Sequence, residues 1–468
     1  MRIAFLCGSL SLALVACGDN HDTTPDGGGG SDGGSDSGNS CSGVTGTCIE
    51  IAGGDAAGLV TAANSLSDGT TIILGAGTFH MTNAVTIRNK SIHLLGQGID
   101  TTTLDFSAEP AQTNGIDVIG DDFLVQDLTV KDAANNAMRV EASNGVVFRR
   151  IRSTWSQQAS TNGSYGIYPV KSQNVLVEDS KAENASDAGL YVGQCQNVIV
   201  RGNTVMGNVA GLEIESTEYA DVYNNLATNN TGGIVTFDLP GNPIVGHDVK
   251  LHDNMIISNN GMNFAPGGTV ASIPVGTGTF AMAARRVEIT GNTYMDNDTV
   301  DIALISGLAL EPNAAAWELP TNTIVGDWMD SDLGLMAGDT AGTIVNYRTY
   351  NITVSGNTHV GSGTAPDTTD PLMLGLLLAI SYGADPVDSV LYDSIGESMF
   401  DSTVAASNSN DNHICVGGET ASGSSFASMD LAEQSVSSQV PFFRPAAPFV
   451  PFDCTDLVGG PVAAVTLP

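Results

Sequence analysis

The sequence predicts an all-β solenoid, and three observations carry that prediction. The first is a repeat between Tyr165 and Asp238, where two short patterns alternate. One reads apolar-x-apolar-x-x-Asn/Ser: Val175-Val177-Ser180, Val198-Val200-Asn203, Ala220-Val222-Asn225. The other reads Gly-apolar-x-apolar: Gly189-Leu190-Tyr191-Val192 and Gly211-Leu212-Glu213-Ile214, with shorter echoes at Gly166-Ile167 and Gly233-Ile234. The second observation is the period: the central valine recurs after 23 and then 22 residues, the length of one solenoid coil. The third is composition. Charged residues make up 14 % of the 468-residue chain and glycines number 55, which suits stacked, turn-rich β-structure better than a helical bundle.

The elements follow in order. Arg2 and the short apolar run Ile3 to Val15 have the shape of an export signal, too short to span a membrane. The run ends in Leu14-Val15-Ala16-Cys17, which resembles the bacterial lipobox, with a plain signal peptide as the alternative. In the lipobox reading residues 1–17 are the signal and Cys17 carries the lipid. Gly18 follows Cys17 in place of an acidic residue, so the expected address is the outer membrane of a bacterial cell envelope. Residues 18–40 are mostly Gly, Ser and Asp and are expected to form a flexible tether. Of the remaining cysteines, Cys41 with Cys48 and Cys415 with Cys454 are the expected disulfides, leaving Cys195 inside a repeat.

Residues 41–383 are assigned to the solenoid. Leu59, Val60, Ala63 and Leu66 have helical spacing, Asp55 can cap their N-terminus, and Asp68-Gly69 ends the segment. A short helix here would cover the open end of the coil stack. Short strands follow around Ile72 to Leu74, Phe79, Val85 to Ile87, Ile92 to Leu94 and Leu104. The first-strand pattern then recurs at Phe123, Val146, Val175, Val198, Ala220, Val249, Val287 and Ile352. Asn203, Asn225, Asn254, Asn292 and Asn357 follow the later copies and read as stacked turn asparagines. The intervals lengthen to 29, 38 and 65 residues, so loops grow toward the C-terminus. The apolar run 372–380 reads as a buried strand, and residues 384–468 as an irregular C-terminal cap tied by Cys415 and Cys454.

The function-bearing residues are sought on the second strand of each coil. With Leu190 and Val192 pointing inward, Tyr191 and Gly193 point outward. The same offset in neighbouring coils gives a column of Arg139, Tyr168, Tyr191 and Glu213, and a second of Glu141, Val170, Gly193, Glu215 and Phe237. Lys171 and Asp187 flank the strip. Tyrosines stack on sugar rings and charged groups hold hydroxyls or carboxylates, so the strip is a candidate polysaccharide groove. Catalysis on a uronate would need Arg139 or Lys171 to neutralise the carboxylate, and Tyr168 and Tyr191 to move protons. Glu213, Glu215 and Asp187 are the expected substrate contacts. An ordinary mixed surface strip is the competing reading.

Net charge is −35. Such a surface repels nucleic acid and anionic membranes at long range. No metal is required, although calcium is the ion an acidic surface of this kind suits. Arg149, Arg150 and Arg152 form a basic cluster better explained by local salt bridges. Asp296, Asp298 and Asp301 read as an acidic turn before they read as calcium ligands. His247 and His252 have no evident ligand partner, and no nucleophile elbow, P-loop or zinc motif is present.

Residues 68–106 resemble the opening coil of right-handed parallel β-helix proteins of the pectate-lyase-like class. The segments YGIYPV, ASDAGLYVGQ, QNVIVRGN, NVAGLEIE, ATNNTGGIVTFDLP and VASIPVGTG, with the tail pieces HICVGGE and PFDC, resemble a bacterial family of parallel β-helix repeat lipoproteins. That resemblance implies an exported right-handed parallel β-helix and transfers no catalytic residue. A more distant likeness is to mannuronan C5-epimerases. Their Tyr-Gly-Phe-Asp-Pro-His motif is echoed by Tyr165 to Val170, with Tyr168 and Val170 at the Asp and His positions. The expectation is therefore a monomeric cell-envelope lipoprotein that contacts polysaccharide, as a binder, a lyase or an epimerase. A structural or adhesive surface protein is the alternative.

Overall fold

The computed structural model describes residues 39–326, 342–394, 410–429 and 442–468. The signal, Cys17 and nearly all of the tether lie outside them. Asn39–Pro468 form one compact unit, a parallel β-helix. A full coil has three strands, for example Gln173–Glu178, Lys181–Glu183 and Ala188–Gly193. The next coil repeats them as Gln196–Arg201, Thr204–Met206 and Ala210–Glu215. Each pairs in parallel with its counterpart one coil on: Val175 with Val198, Ala182 with Val205, Leu190 with Leu212. First and middle strands together make one long sheet, and the second-face strands make another.

Alternation decides which side chains fill the coil. Val175, Val177, Val198, Val200, Ala220, Val222, Val249, Leu251, Val287, Ile289, Ile352 and Val354 are all buried in one continuous core with Leu190, Val192, Leu212 and Ile214. The β-branched residues suit the pleated, buried surface.

The corners explain the asparagines. Asn203 Nδ2 donates to Asn225 Oδ1 at 2.9 Å, and Asn225, Asn254 and Asn292 each do the same to the next asparagine. Asn357 then donates to Glu419 Oε1 at 2.8 Å, so a carboxylate ends the ladder. Each asparagine also donates inward, as Asn254 does to Val222 O. The preceding residue has positive φ in every coil: Asp179, Gly202, Asn224, Asp253, Gly291 and Gly356. Only Gly, Asn and Asp visit that region readily, hence their recurrence at this corner.

Two further ladders were not legible in the repeat as read. Asn208, Asn230, Asn259 and Asn297 form one. Ser143, Ser172, Cys195 and Thr217 form the other, with Ser172 N donating to Cys195 Sγ and Cys195 N to Thr217 Oγ1. Cys195 therefore occupies a hydroxyl position in a turn ladder, and burial pushes its thiol up to about 12.

The ends are covered. The helix Ala56–Ala63 is capped by Asp55, whose carboxylate accepts from Gly58 N at 2.8 Å. Disulfides join Cys41 to Cys48 and Cys415 to Cys454. The run 372–380, expected to be a strand, is instead the helix Leu374–Tyr382. Leu and Ala favour helix, the Asp370 carboxylate accepts from Leu374 N and Gly375 N, and Gly383 stops the helix. Strand pairing also runs past 383: Val390–Asp393 pairs with Ile302–Leu304 and with Phe426–Met429. Coils thus continue into the region expected to be irregular.

His359 clamps this last part. It lies between Asp301 (2.8 Å) and Glu419 (3.2 Å), its ring stacked on Tyr294. Although burial opposes its charged form, the two carboxylates raise it to about 9. Glu419 is held below its ordinary value despite burial, through His359, Asn357 and Ser424.

Two outcomes are expected. Asn254→Ala strands ladder partners on both sides and should lower unfolding stability by roughly 2–4 kcal/mol in denaturant titration. The His359 clamp, raised above its unfolded value, contributes fully below the ordinary histidine pKa and is lost as pH rises through about 9. A thermal scan should therefore show a smaller loss of Tm between pH 7.5 and 10 in His359→Gln than in the parent, by roughly a few degrees.

Candidate functional site

The second-strand faces bring the candidate residues together because the stacking register is strict. Arg139 pairs with Tyr168, Tyr191 with Glu213, Val170 with both Glu141 and Gly193, and Gly193 with Glu215. Both columns exist in the register that the repeat implies.

The strip is not an open surface. Beyond the coil of Tyr191, the outer face of this sheet is roofed by its own insertions. Leu239 and Phe264 pack against it, as do the buried Val270 and Ile273, in a cluster with Tyr191, Val235, Phe237 and Phe280. Glu213, Tyr191 and Glu215 are only 2 %, 3 % and 7 % exposed. Tyr165, Tyr168 and Asp187 are half-buried at the edge of the roof. The site is an acidic, aromatic recess at the point where the bare face passes under the loops.

Its geometry rests on small residues. Tyr165 stacks over a position held by Ala188, Ala210 and Gly232 in the next coils. That run of small residues was the available signal for Tyr165, which the column pattern passes over. The three tyrosine rings touch, with centroids 4.5 Å (Tyr165–Tyr168), 4.5 Å (Tyr165–Tyr191) and 4.9 Å (Tyr168–Tyr191) apart. A Cβ on Gly193 would collide with the Tyr191 phenol. Glycine there lets the ring lie across the next column, so that Tyr191 Oη donates to Glu215 Oε2 at 3.0 Å. Asn242, from the loop above, donates to Glu215 Oε1 at 3.4 Å.

The carboxyl groups are the unusual feature. Burial, then the neighbouring Asp187 and Glu215, raise Glu213 well above the carboxylate range. Its Oε2 is buried without a hydrogen-bond partner. Asp187 is pushed up to about 7 by burial, opposed by the Tyr165 hydroxyl and reinforced by Glu215. Glu215 is also raised by burial, although Tyr191 and Asn242 hydrogen-bond to it. Burial raises Tyr168 to about 12. Carboxyls that hold protons near neutral pH, beside phenols, are the equipment of proton transfer.

Other expected site residues lie elsewhere or are occupied. Arg139 is not free to neutralise a substrate carboxylate: its Nε donates to Asp117 Oδ1 at 2.7 Å and its Nη1 lies 3.2 Å from Glu141. The Asp one coil below thus takes the charge that the column pattern left unpaired. Lys171 is exposed in the turn after Tyr165–Val170 and lines a separate cavity of about 330 Å³ with Gln194, Glu218, Pro243 and Ile244. Arg149, Arg150 and Arg152 each form ion pairs, with Glu178, Asp127 and Glu183. Asp301 binds His359, so the acidic run 296–301 does not act as one ligand set. Among the described residues, the grouping with metal-ligand spacing is His413, Cys415 and Cys454, and its cysteines are spent in the disulfide.

The family model described as "Right handed beta helix region" matches residues 92–249. The chain is a right-handed parallel β-helix. Among solved structures, it is similar to the mannuronan C-5 epimerase A-module of Azotobacter vinelandii, with 15 % identity over 75 % of this chain and 92 % of that one, and a TM-score of 0.40. It is similar to an alginate lyase from Paenibacillus sp. (13 %, 68 % and 96 %, TM-score 0.38). An endo-xylogalacturonan hydrolase from Aspergillus tubingensis gives 11 %, 68 % and 93 %, with a TM-score of 0.39. Comparison with curated proteins gave no match.

A raised carboxyl destabilises the fold once pH exceeds its unfolded value, because the unfolded chain releases the proton more readily. Glu213→Gln should therefore raise stability at pH 8 by roughly 1–3 kcal/mol, and by less at pH 5, which lies much closer to the unfolded carboxyl's own value. Equal effects at both pH values in denaturant titrations would show that Glu213 is an ordinary ionised carboxylate.

Proposed function

We propose that this chain binds a polysaccharide at the recess and modifies it by proton transfer. One observation carries the reading. Asp187, Glu213 and Glu215 hold elevated proton affinities directly beneath three touching tyrosines, two of which reach the surface. The half-open rings of Tyr165 and Tyr168 offer apolar faces for a pyranose. Asp187, near neutrality, takes or gives a proton in its physiological range, and Glu213 keeps one to give. The bare face on the N-terminal side, with Arg139 and Glu141, extends the surface along which a chain of sugars can lie.

The same reading places the protein at a bacterial cell envelope, anchored through Cys17 with residues 18–40 as spacer. It rests on the export-signal shape of residues 1–17 alone. The alternative is a structural or adhesive surface protein without a glycan site. It is favoured if the recess merely seals the loops onto the sheet.

The test is a screen of the purified chain against uronate, neutral and amino polysaccharides, reading calorimetric binding and reducing-end or unsaturated product. Binding should weaken by about tenfold in Tyr168→Ala, the loss of one stacking face. Any product formation should fall by at least about a hundredfold in Glu213→Gln. Absence of binding to every glycan by a folded sample would favour the structural alternative.

A further inference from the structure

Among the described residues, no lysine, arginine or histidine bonds to the recess carboxyls. The groups that set the ionisation of Asp187, Glu213 and Glu215 are one another, Tyr165, Tyr191, Asn242 and Gln194. The nearest arginine of the column, Arg139, is consumed by Asp117 and Glu141. Glu215 has both oxygens engaged, by Tyr191 and Asn242, and the Tyr165 hydroxyl favours the ionised form of Asp187. Glu213 Oε2 is a buried acceptor with no donor among the described residues. Such an oxygen is costly to leave unmatched, and a ligand that supplies a donor removes the cost.

The identity of that donor follows from charge and valence. A uronate would set its carboxylate against carboxyl groups that already disfavour one another's ionised forms. A calcium ion needs six to eight oxygens, and with both Glu215 oxygens engaged only four carboxyl oxygens remain for it. An ammonium has three N–H donors, no acceptor and one positive charge, and it is attracted to tyrosine faces. The whole molecule favours such a ligand at long range, with 51 acidic against 16 basic residues. At the edge of the roof, Asp187 lies beside the exposed Gly268 of the roofing loop, 3.7 Å from where a Cβ there would stand.

Resting on the polysaccharide reading above, we propose that the sugar taken at this recess is an amino sugar with a free ammonium, seated on Asp187 and the unpartnered Glu213 Oε2 with its ring against Tyr165 and Tyr168. The substrate class is a de-N-acetylated, polycationic glycan. The uronate considered from the sequence is set aside, since the arginine that would have received it is spent.

Calorimetry on the full-length protein tests this with a glucosamine hexamer, the N-acetylglucosamine hexamer, a mannuronate hexamer and calcium chloride. The glucosamine hexamer should bind at least about tenfold more tightly than the other two sugars at pH 7.5. In Glu213→Gln that preference should fall below about threefold, with circular dichroism unchanged. Undiminished binding of the glucosamine hexamer to Glu213→Gln would overturn the assignment, since it would reflect adsorption to the acidic surface. Equal or tighter binding of the acetylated or uronate hexamer overturns the amino-sugar inference and leaves the polysaccharide reading standing. Calcium binding that disappears in Glu213→Gln also overturns it. Failure of every sugar to bind overturns both.

Discussion

Everything in this fold depends on how a coil turns its corner. A parallel β-helix pairs its strands only between coils, so each turn must satisfy its own backbone groups with whatever stacks above and below. Here one residue in the left-handed region, followed by an asparagine, does this from Asn203 to Asn357. The amide both donates to the coil before it and receives from it, so no member can shift without breaking its neighbours. Glu419 closes the series as acceptor, and His359 holds Glu419 in place.

That rigidity produces the site. Because the register never slips between Met138 and Phe237, side chains 22, 23 or 29 residues apart in sequence stand in adjacent coils, about 4.8 Å apart. Glycine and alanine at chosen positions in those columns decide where large rings can lie. Gly193 lets Tyr191 cross onto Glu215, and Ala188 leaves space beneath Tyr165. A rigid scaffold then bears groups in an unfavourable state. The roof of the insertions desolvates Asp187, Glu213 and Glu215 together, and the fold carries that cost while the corners hold it in register.

Much of this was legible in the residues. The period, the inward valines, the corner asparagines, the capping helix with Asp55 and both disulfide pairs are local or repeating features. The two outward columns were legible too, since alternation and period fix them completely. Less legible were the ladder role of Cys195, which a thiol conceals among hydroxyls, and the helix Leu374–Tyr382, where an apolar run without periodicity fits strand and helix alike.

The sequence by itself determined which side chains leave the coil interior and which coil each belongs to. Tertiary structure decided what those side chains meet outside. A repeat reports inside and outside of the solenoid, but it cannot report whether outside is water. That depends on irregular insertions, whose course follows no period. Under them Glu213 became a buried acid and Asp187 its neighbour. One coil away, Asp117 reached Arg139 and removed the cation that the column seemed to offer. The chemistry of the recess therefore comes from packing between segments far apart in sequence, where desolvation and pairing are set together.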